Sequence, residues 1–438
     1  MTLTGAAAFA AACGGDDKQT TGTGGGTAQG PATVQTGQAQ AAAPKQGGRV
    51  KAQTLVDAAT LDPHQSSLGS DDFYLWPIYD SLVTYSLKDF SPTPQLAEKW
   101  ETSPDGATYT FRLRPGLTFH DGTALNAEAV KYNFDRFMAP DFAAPIRASM
   151  APVVDSYAAT DATTFQVKLK EPFAPFLSYL YGTAAYRGGQ MVSPAAAQRL
   201  GKDLTRQPVG AGPFKFKSRV TGTSVEYERF ADYWDKGKPY LDGATIRFFS
   251  DANVGWEETK SGGNDIGYVL LQDLEQTKKE GKLQVVGGPI PTAIGHLILN
   301  AVKPPFNDAR ARKALSLAMN RKALLDTTQE GQGDVMKSFV PPMDWSYNPK
   351  ADYFKYDVAE AKRLMSAAGV ANGTKVRMIG FAFPPMPGRA EALQAQFREI
   401  GLNVEVENGE IAPMVAQLRA GNYDIANFTW DYPGDPQY

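Results

Sequence analysis

From about residue 290 onward, short apolar runs near Leu297, Met378, Val404 and Ile425 alternate with helical stripes of roughly ten to fifteen residues. A chain patterned this way folds into an α/β layer, because each strand needs the following helix to cover it. The helix after Asp357 is the best marked. Asp357 with Glu360 reads as a capping pair, Val358, Ala361, Leu364, Met365 and Ala368 form the apolar stripe, and Gly369 ends it. Leu393, Phe397 and Ile400 followed by Gly401 repeat the device.

The preceding portion has a different period. Tyr109, Phe111 and Leu113 alternate with Thr110, Arg112 and Arg114, and Phe165, Val167 and Leu169 alternate with Gln166 and Lys168, which predicts two half-buried strands. Between them Asn126 is placed to cap a helix whose Val130, Phe134 and Phe137 share one face. Ser103-Pro104-Asp105-Gly106 and His120-Asp121-Gly122 read as turns. Gly48 to Gln53 reads as an extended opening segment, with the turn-rich Leu61-Asp62-Pro63-His64 after it. The expectation is a mixed α+β first lobe and a βα second lobe, joined near Gly287-Gly288-Pro289 with the ligand site between them.

The chain has 438 residues, 42% apolar and 21% charged, enough for more than one folding unit. Its 44 basic and 47 acidic residues leave a formal charge of -3, so no general attraction to nucleic acid is expected. Cys13 is the only cysteine, which excludes a disulfide framework and a thiolate metal site. It follows the small apolar run Leu3 to Ala12, and Ala10-Ala11-Ala12-Cys13-Gly14-Gly15 resembles a bacterial lipobox. That resemblance implies a lipidated Cys13, a signal-peptide remnant over 1–12 and an extracytoplasmic, membrane-anchored protein. No basic residue precedes the run, so the true signal is expected to start further upstream. From Gly14 to about Lys45 the composition is Gly, Thr, Ala and Gln, which cannot bury a core and reads as a flexible tether over 13–45.

Residues 94 to 137, PQLAEKWETSPDGATYTFRLRPGLTFHDGTALNAEAVKYNFDRF, closely resemble the signature region of peptide-type solute-binding proteins of ABC importers, the family of oligopeptide- and dipeptide-binding proteins. The likeness continues through PVGAGPFKF (208 to 216), DYWDKGKPYLDGATIRFF (232 to 249), SGGNDIGY (261 to 268), KPPFNDARARKALSLAMNRKALL (303 to 325) and GNYDIANFTWDYPGDP (421 to 436). It implies a type II periplasmic-binding-protein-like fold. Lobe I would span 46–288 with a subdomain inserted over about 72–195, and lobe II would span 289–438. Relatives continue beyond the Trp430-Asp431-Tyr432-Pro433 region and cross back to the first lobe, so a further return segment is expected.

The resemblance also points to site residues. Relatives pair the peptide amine with an acid just after a strand, and Phe428-Thr429-Trp430-Asp431 is the nearest match, with Asp435 the competing acid. Asp431 is either that amine partner or a turn cap before Tyr432-Pro433. Dipeptide-binding relatives hold the carboxylate with Arg-Pro-Tyr where this chain reads Gly380-Phe381-Ala382-Phe383-Pro384, so that clamp is expected to be absent. Phe381 and Phe383 then read as hydrophobic lining or as core. Leu68 and Gly69 stand where relatives bring backbone against the ligand, Gly69 allowing close approach, though an ordinary loop reads equally well. Tyr109 joins Leu68, Gly69, Phe381, Phe383, Trp430 and Asp431 as the expected lining.

An enzymatic reading finds no support. His64, His120 and His296 are far apart in sequence, and no HExxH or GxSxG stands among the residues. Pro208-Val209-Gly210-Ala211-Gly212-Pro213 lacks the Lys-Ser/Thr of a phosphate loop. The expected partners are a peptide or other small solute, an ABC permease and the membrane, with the protein itself a monomer without cofactor. The alternatives are a signalling or chaperone-like peptide binder without a transporter, and a binder of nickel complexes to which His64 or His296 contributes.

Overall fold

The computed structural model describes residues 44–86, 91–183, 186–286, 293–339 and 347–431. Cys13, most of the tether, the 287–290 connection and Asp435 lie outside them.

The first lobe is organised on a four-stranded sheet of order β1-β10-β9-β8, formed by β1 (Arg49–Thr54), β8 (Phe214–Val220), β9 (Ser224–Arg229) and β10 (Gly243–Phe248). The extended opening segment is thus β1, and it pairs parallel with β10. Its core gathers Leu75, Ile78, Val192, Leu204, Val225, Tyr227 and Ile246. A small antiparallel pair, β2 (Val83–Tyr85) with β3 (Pro92–Pro94), leads into a separate antiparallel sheet. That sheet has the order β4-β5-β7-β6, from β4 (Ala97–Thr102), β5 (Thr108–Leu113), β6 (Val154–Ala159) and β7 (Thr164–Leu169).

The expected alternation holds on β5, where Tyr109, Phe111 and Leu113 are buried and the residues between them are not. Helix α1 (Ala127–Met138) starts where Asn126 Oδ1 accepts the Ala129 N–H at 3.0 Å, and it lays Val130, Phe134 and Phe137 on the sheet. Each of these buried large side chains contributes about 1.5–3 kcal/mol relative to exposure. Both predicted turns close as expected, with Gly106 N–H to Ser103 O at 2.8 Å and Gly122 N–H to Phe119 O at 2.9 Å. Gly106 and Gly122 have φ of 71° and 81°, a region that favours glycine.

The loop through Gly210 and Gly212 is a brace. Gly212 N–H bonds Ile78 O at 2.8 Å and Phe214 N–H bonds Pro77 O at 2.9 Å. A Cβ at Gly210 would overlap the Ile78 carbonyl oxygen, so two backbones touch where any larger residue would separate them.

The second lobe is built on a sheet of order β11-β14-β12-β13, from β11 (Ala293–Leu299), β12 (Thr374–Phe381), β13 (Leu402–Gly409) and β14 (Ile425–Asp431). All four predicted strands are present. Helices α2 (Ala309–Ala318), α3 (Arg321–Gln329), α4 (Val358–Ala367) and α5 (Met386–Glu399) pack on one face through Leu315, Leu324, Leu364, Leu393 and Phe397 against Val376, Met378, Val404 and Ile425. Helix α6 (Ile411–Arg419) covers the other face, where Met414 meets Ile379, Phe381, Ala426 and Phe428.

Two details depart from expectation. Strand β11 runs antiparallel to β14, so the βα repetition yields a mixed sheet with an antiparallel edge strand. At α4, Asp357 Oδ1 accepts the Glu360 N–H at 2.9 Å, but the Glu360 carboxylate does not reach back. Arg363, one turn along, takes it in a forked pair at 2.7 Å instead.

Candidate functional site

In the second lobe, β12, β13 and β14 are mutually parallel, β12 and β13 ending level at Phe381 and Gly409 and β14 running on past them to Asp431. The carboxyl edge of such a sheet is where open α/β layers bind ligands. Phe381 is 8% exposed and packs edge-on against Phe428 at 4.4 Å, so it belongs to the core. Phe383 stacks on it at 5.3 Å and keeps 40% exposure. Trp430 and Asp431 occupy the last two positions of β14, opposite Ile294 and Ala293. Their side chains lie outside what is described.

Behind that edge sits a residue that sequence reasoning passed over. Arg389, in the first turns of α5, donates from Nε to Asn427 Oδ1 at 2.6 Å and from Nη2 to the Phe428 carbonyl at 2.7 Å. Asn427 is fully buried and donates in turn to Met386 O at 3.1 Å, which locks its orientation. Burial holds the Arg389 guanidinium down to about 10. The signal was present in the sequence, because Arg389 falls four residues before Leu393 and eight before Phe397, on the inward stripe of the helix.

In the first lobe, Leu68 precedes a single 3-10 turn, Gly69–Asp71. Arg187, its side chain 1% exposed, donates to the Leu68 carbonyl at 2.7 Å and pairs with Asp72. Asp71 accepts Ala59 N–H at 3.0 Å and Ser66 Oγ–H at 2.5 Å. The loop is therefore held from beneath by a buried charge pair. Gly69 does not use a left-handed φ here.

Tyr109 is placed elsewhere. It is 5% exposed in the core of the β4-β5-β7-β6 sheet, its ring 4.8 Å from Phe176, because β5 alternation turns it inward with Phe111. In this conformation it is a packing residue with no face for a solute. His64 and His120 are also committed. His64 contacts Gln190 O at 2.9 Å through Nε2 and Arg136 at 2.8 Å through Nδ1, and His120 contacts Gly212 O at 2.9 Å. His296 bonds the Ile294 carbonyl through Nδ1 at 3.0 Å. Among the described residues, no group of three His, Cys, Asp or Glu side chains converges as a metal site would need.

Comparison with known proteins decides the class. The model of bacterial extracellular solute-binding proteins, family 5, matches residues 91–438. The chain belongs to that family. This family 5 protein is 31% identical to the glutathione-binding protein GsiB of Pectobacterium atrosepticum over 363 residues, 82% of this chain and 69% of the relative. Its fold resembles the ABC transporter-associated periplasmic binding protein DppA of Helicobacter pylori in complex with peptide STSA, at a TM-score of 0.77 and 27% identity, covering 90% of this chain and 80% of that one. It is equally similar to AgaA of A. tumefacien R10 in complex with agropinic acid, at a TM-score of 0.77 and 29% identity, covering 88% and 77%. The architecture is the type II periplasmic-binding-protein fold of peptide-type solute-binding proteins, a transport family. No described helix is long and apolar enough to cross a membrane.

Proposed function

We propose that this chain is the substrate-binding lipoprotein of an ABC import system. It captures a peptide or a similar small amine-bearing solute between lobe I, residues 46–288 with a subdomain over about 72–195, and lobe II from residue 289. It then delivers the solute to a membrane permease. The observation that carries the reading is the family 5 match on two lobes, with Phe383, Trp430 and Asp431 placed at the carboxyl edge of the second sheet. Asp431 is the group that pairs with the solute's amine. In a cleft emptied of water, a carboxylate–ammonium bond is charge-assisted and short. The Leu68–Gly69 backbone faces the solute from the first lobe, and Cys13 carries the lipid.

Closure is a hinge motion about 287–290, which excludes water and strengthens each polar contact inside. Mass spectrometry of the solute retained by the mature protein tests the reading. A peptide or amine-bearing solute whose addition compacts the protein in small-angle scattering supports it, and a neutral sugar or an unchanged radius of gyration at saturation counts against it.

A further inference from the structure

A guanidinium drawn into a protein is ordinarily matched by a carboxylate, since an unmatched charge out of water is costly. Arg136, Arg187 and Arg219 follow this rule, facing Asp62, Asp72 and Asp57. Arg389 does not. Its acceptors are the neutral Asn427 amide oxygen, the Phe428 carbonyl and the Met386 sulfur at 3.0 Å. No ion pair among the described residues includes it. Arg321 also lacks a carboxylate, but it spends Nη1 on Ser316 O at 3.1 Å and Nη2 on Ser316 Oγ at 3.1 Å, and it lies over the Phe354 ring at 4.5 Å. Arg389 has no hydrogen-bond partner for Nη1 among the described residues, so two of its five N–H donors remain unspent.

The position of that unspent edge is informative. Nη1 lies across Gly295 of β11, where any Cβ would overlap it. Gly295 stands opposite Thr429, one register step from Trp430 and two from Asp431. The charge therefore sits at the same end of the sheet as Phe383 and the β14 terminus. Its orientation is set by Asn427, fixed in turn by Met386 O. The two free N–H bonds share Nη1 and carry part of the guanidinium charge, so the group still wanting here is an anionic oxygen placed beside that one nitrogen.

We infer that Arg389 is the anion-recognising group of the solute site, its Nη1 edge taking a carboxylate or similar oxyanion of the solute across Gly295. The inference rests on the solute-binding reading and narrows it to solutes that carry an anionic group. It also revises the expectation from residues 380–384, since an arginine reaches the strand edge from the helix instead of the loop.

Two pools of synthetic di- to pentapeptides, identical except for C-terminal carboxylates in one and C-terminal amides in the other, provide the test. Wild-type and Arg389→Met protein with intact melting transitions are offered both, and captured species are read by native mass spectrometry. Wild type should capture the acids at least tenfold better than the amides, and the substitution should lower acid capture at least tenfold. Equal capture of both pools, or unchanged acid capture by the variant, overturns the assignment. If Arg389→Met does not fold, Arg389→Lys and Gly295→Ala replace it, the first removing the Nη1 donor and the second filling its place. Each should weaken acid capture at least fivefold, and no change in either overturns the assignment. If neither pool is captured, the peptide reading fails first. The solute retained by the full-length protein then decides: an anionic one lost from the Arg389→Lys protein upholds the role of Arg389, and a neutral or cationic one removes it.

Discussion

Arg136 donates from Nη1 to Nδ1 of His64 at 2.8 Å, which fixes the imidazole as neutral with its proton on Nε2, aimed at the Gln190 carbonyl 2.9 Å away. An arginine has no lone pair to offer, so the ring nitrogen facing it must accept. His64 is 1% exposed, and burial, with the Arg136 charge adding to it, pushes it down to about 4 from an ordinary 6.5. Between those values the unfolded chain binds a proton that the native protein refuses. Stability is therefore retained above about 6.5 and falls as pH drops toward 4, by at most about 3 kcal/mol from this group. Asp80, pushed up to about 7 by burial, acts with the opposite sign. The readout is thus the difference between wild type and His64→Asn. The fall in Tm from pH 7 to pH 5 should be smaller in the variant, and parallel curves would refute the assignment.

The same guanidinium holds Asp62, whose side chain is 1% exposed, with Nη1 to Oδ1 at 3.0 Å and Nη2 to Oδ2 at 2.5 Å. Arg136→Met strands that carboxylate and should cost about 3–5 kcal/mol. Adding Asp62→Asn should recover part of the loss. Urea unfolding of the two variants checks this, and a cost under about 1 kcal/mol for the single change would show the pair to be solvated.

Gly210→Ala forces a methyl against the Ile78 carbonyl, and neither backbone can yield without breaking the Gly212 to Ile78 bond. The expected loss is about 1–3 kcal/mol, typical of overpacking. A thermal melt equal to wild type would mean that the loop shifts freely.

Asp431→Asn should weaken binding of an amine-bearing solute by about 2 to 5 kcal/mol if the closed cleft is dry. A solvated rim acid would cost only about 0 to 1 kcal/mol. Calorimetry on both proteins with the identified solute separates the cases, and a near-zero change removes Asp431 from the site.

Replacing Cys13 by Ser in a gene expressed with its complete leader should move the protein out of the membrane fraction. A variant that still partitions with membranes would place the anchor elsewhere.

Local periodicity determined much of this protein. The alternation of Tyr109, Phe111 and Leu113 made β5, the cap at Asn126 started α1, and the stripe from Ala361 to Met365 oriented α4, because each depends on neighbours two to four residues away. Tertiary structure decided which strand lies beside which. It set β11 antiparallel against β14, since hydrogen-bond register between segments about 130 residues apart has no local signature. It turned Tyr109 into the subdomain core and drew Glu360 to Arg363. It also decided what surrounds Arg389. The helical spacing announced only that this side chain points inward. That it meets Asn427, Phe428 and the bare backbone of Gly295, and no carboxylate among the described residues, follows from packing α5 against two strands that the sequence lists far apart.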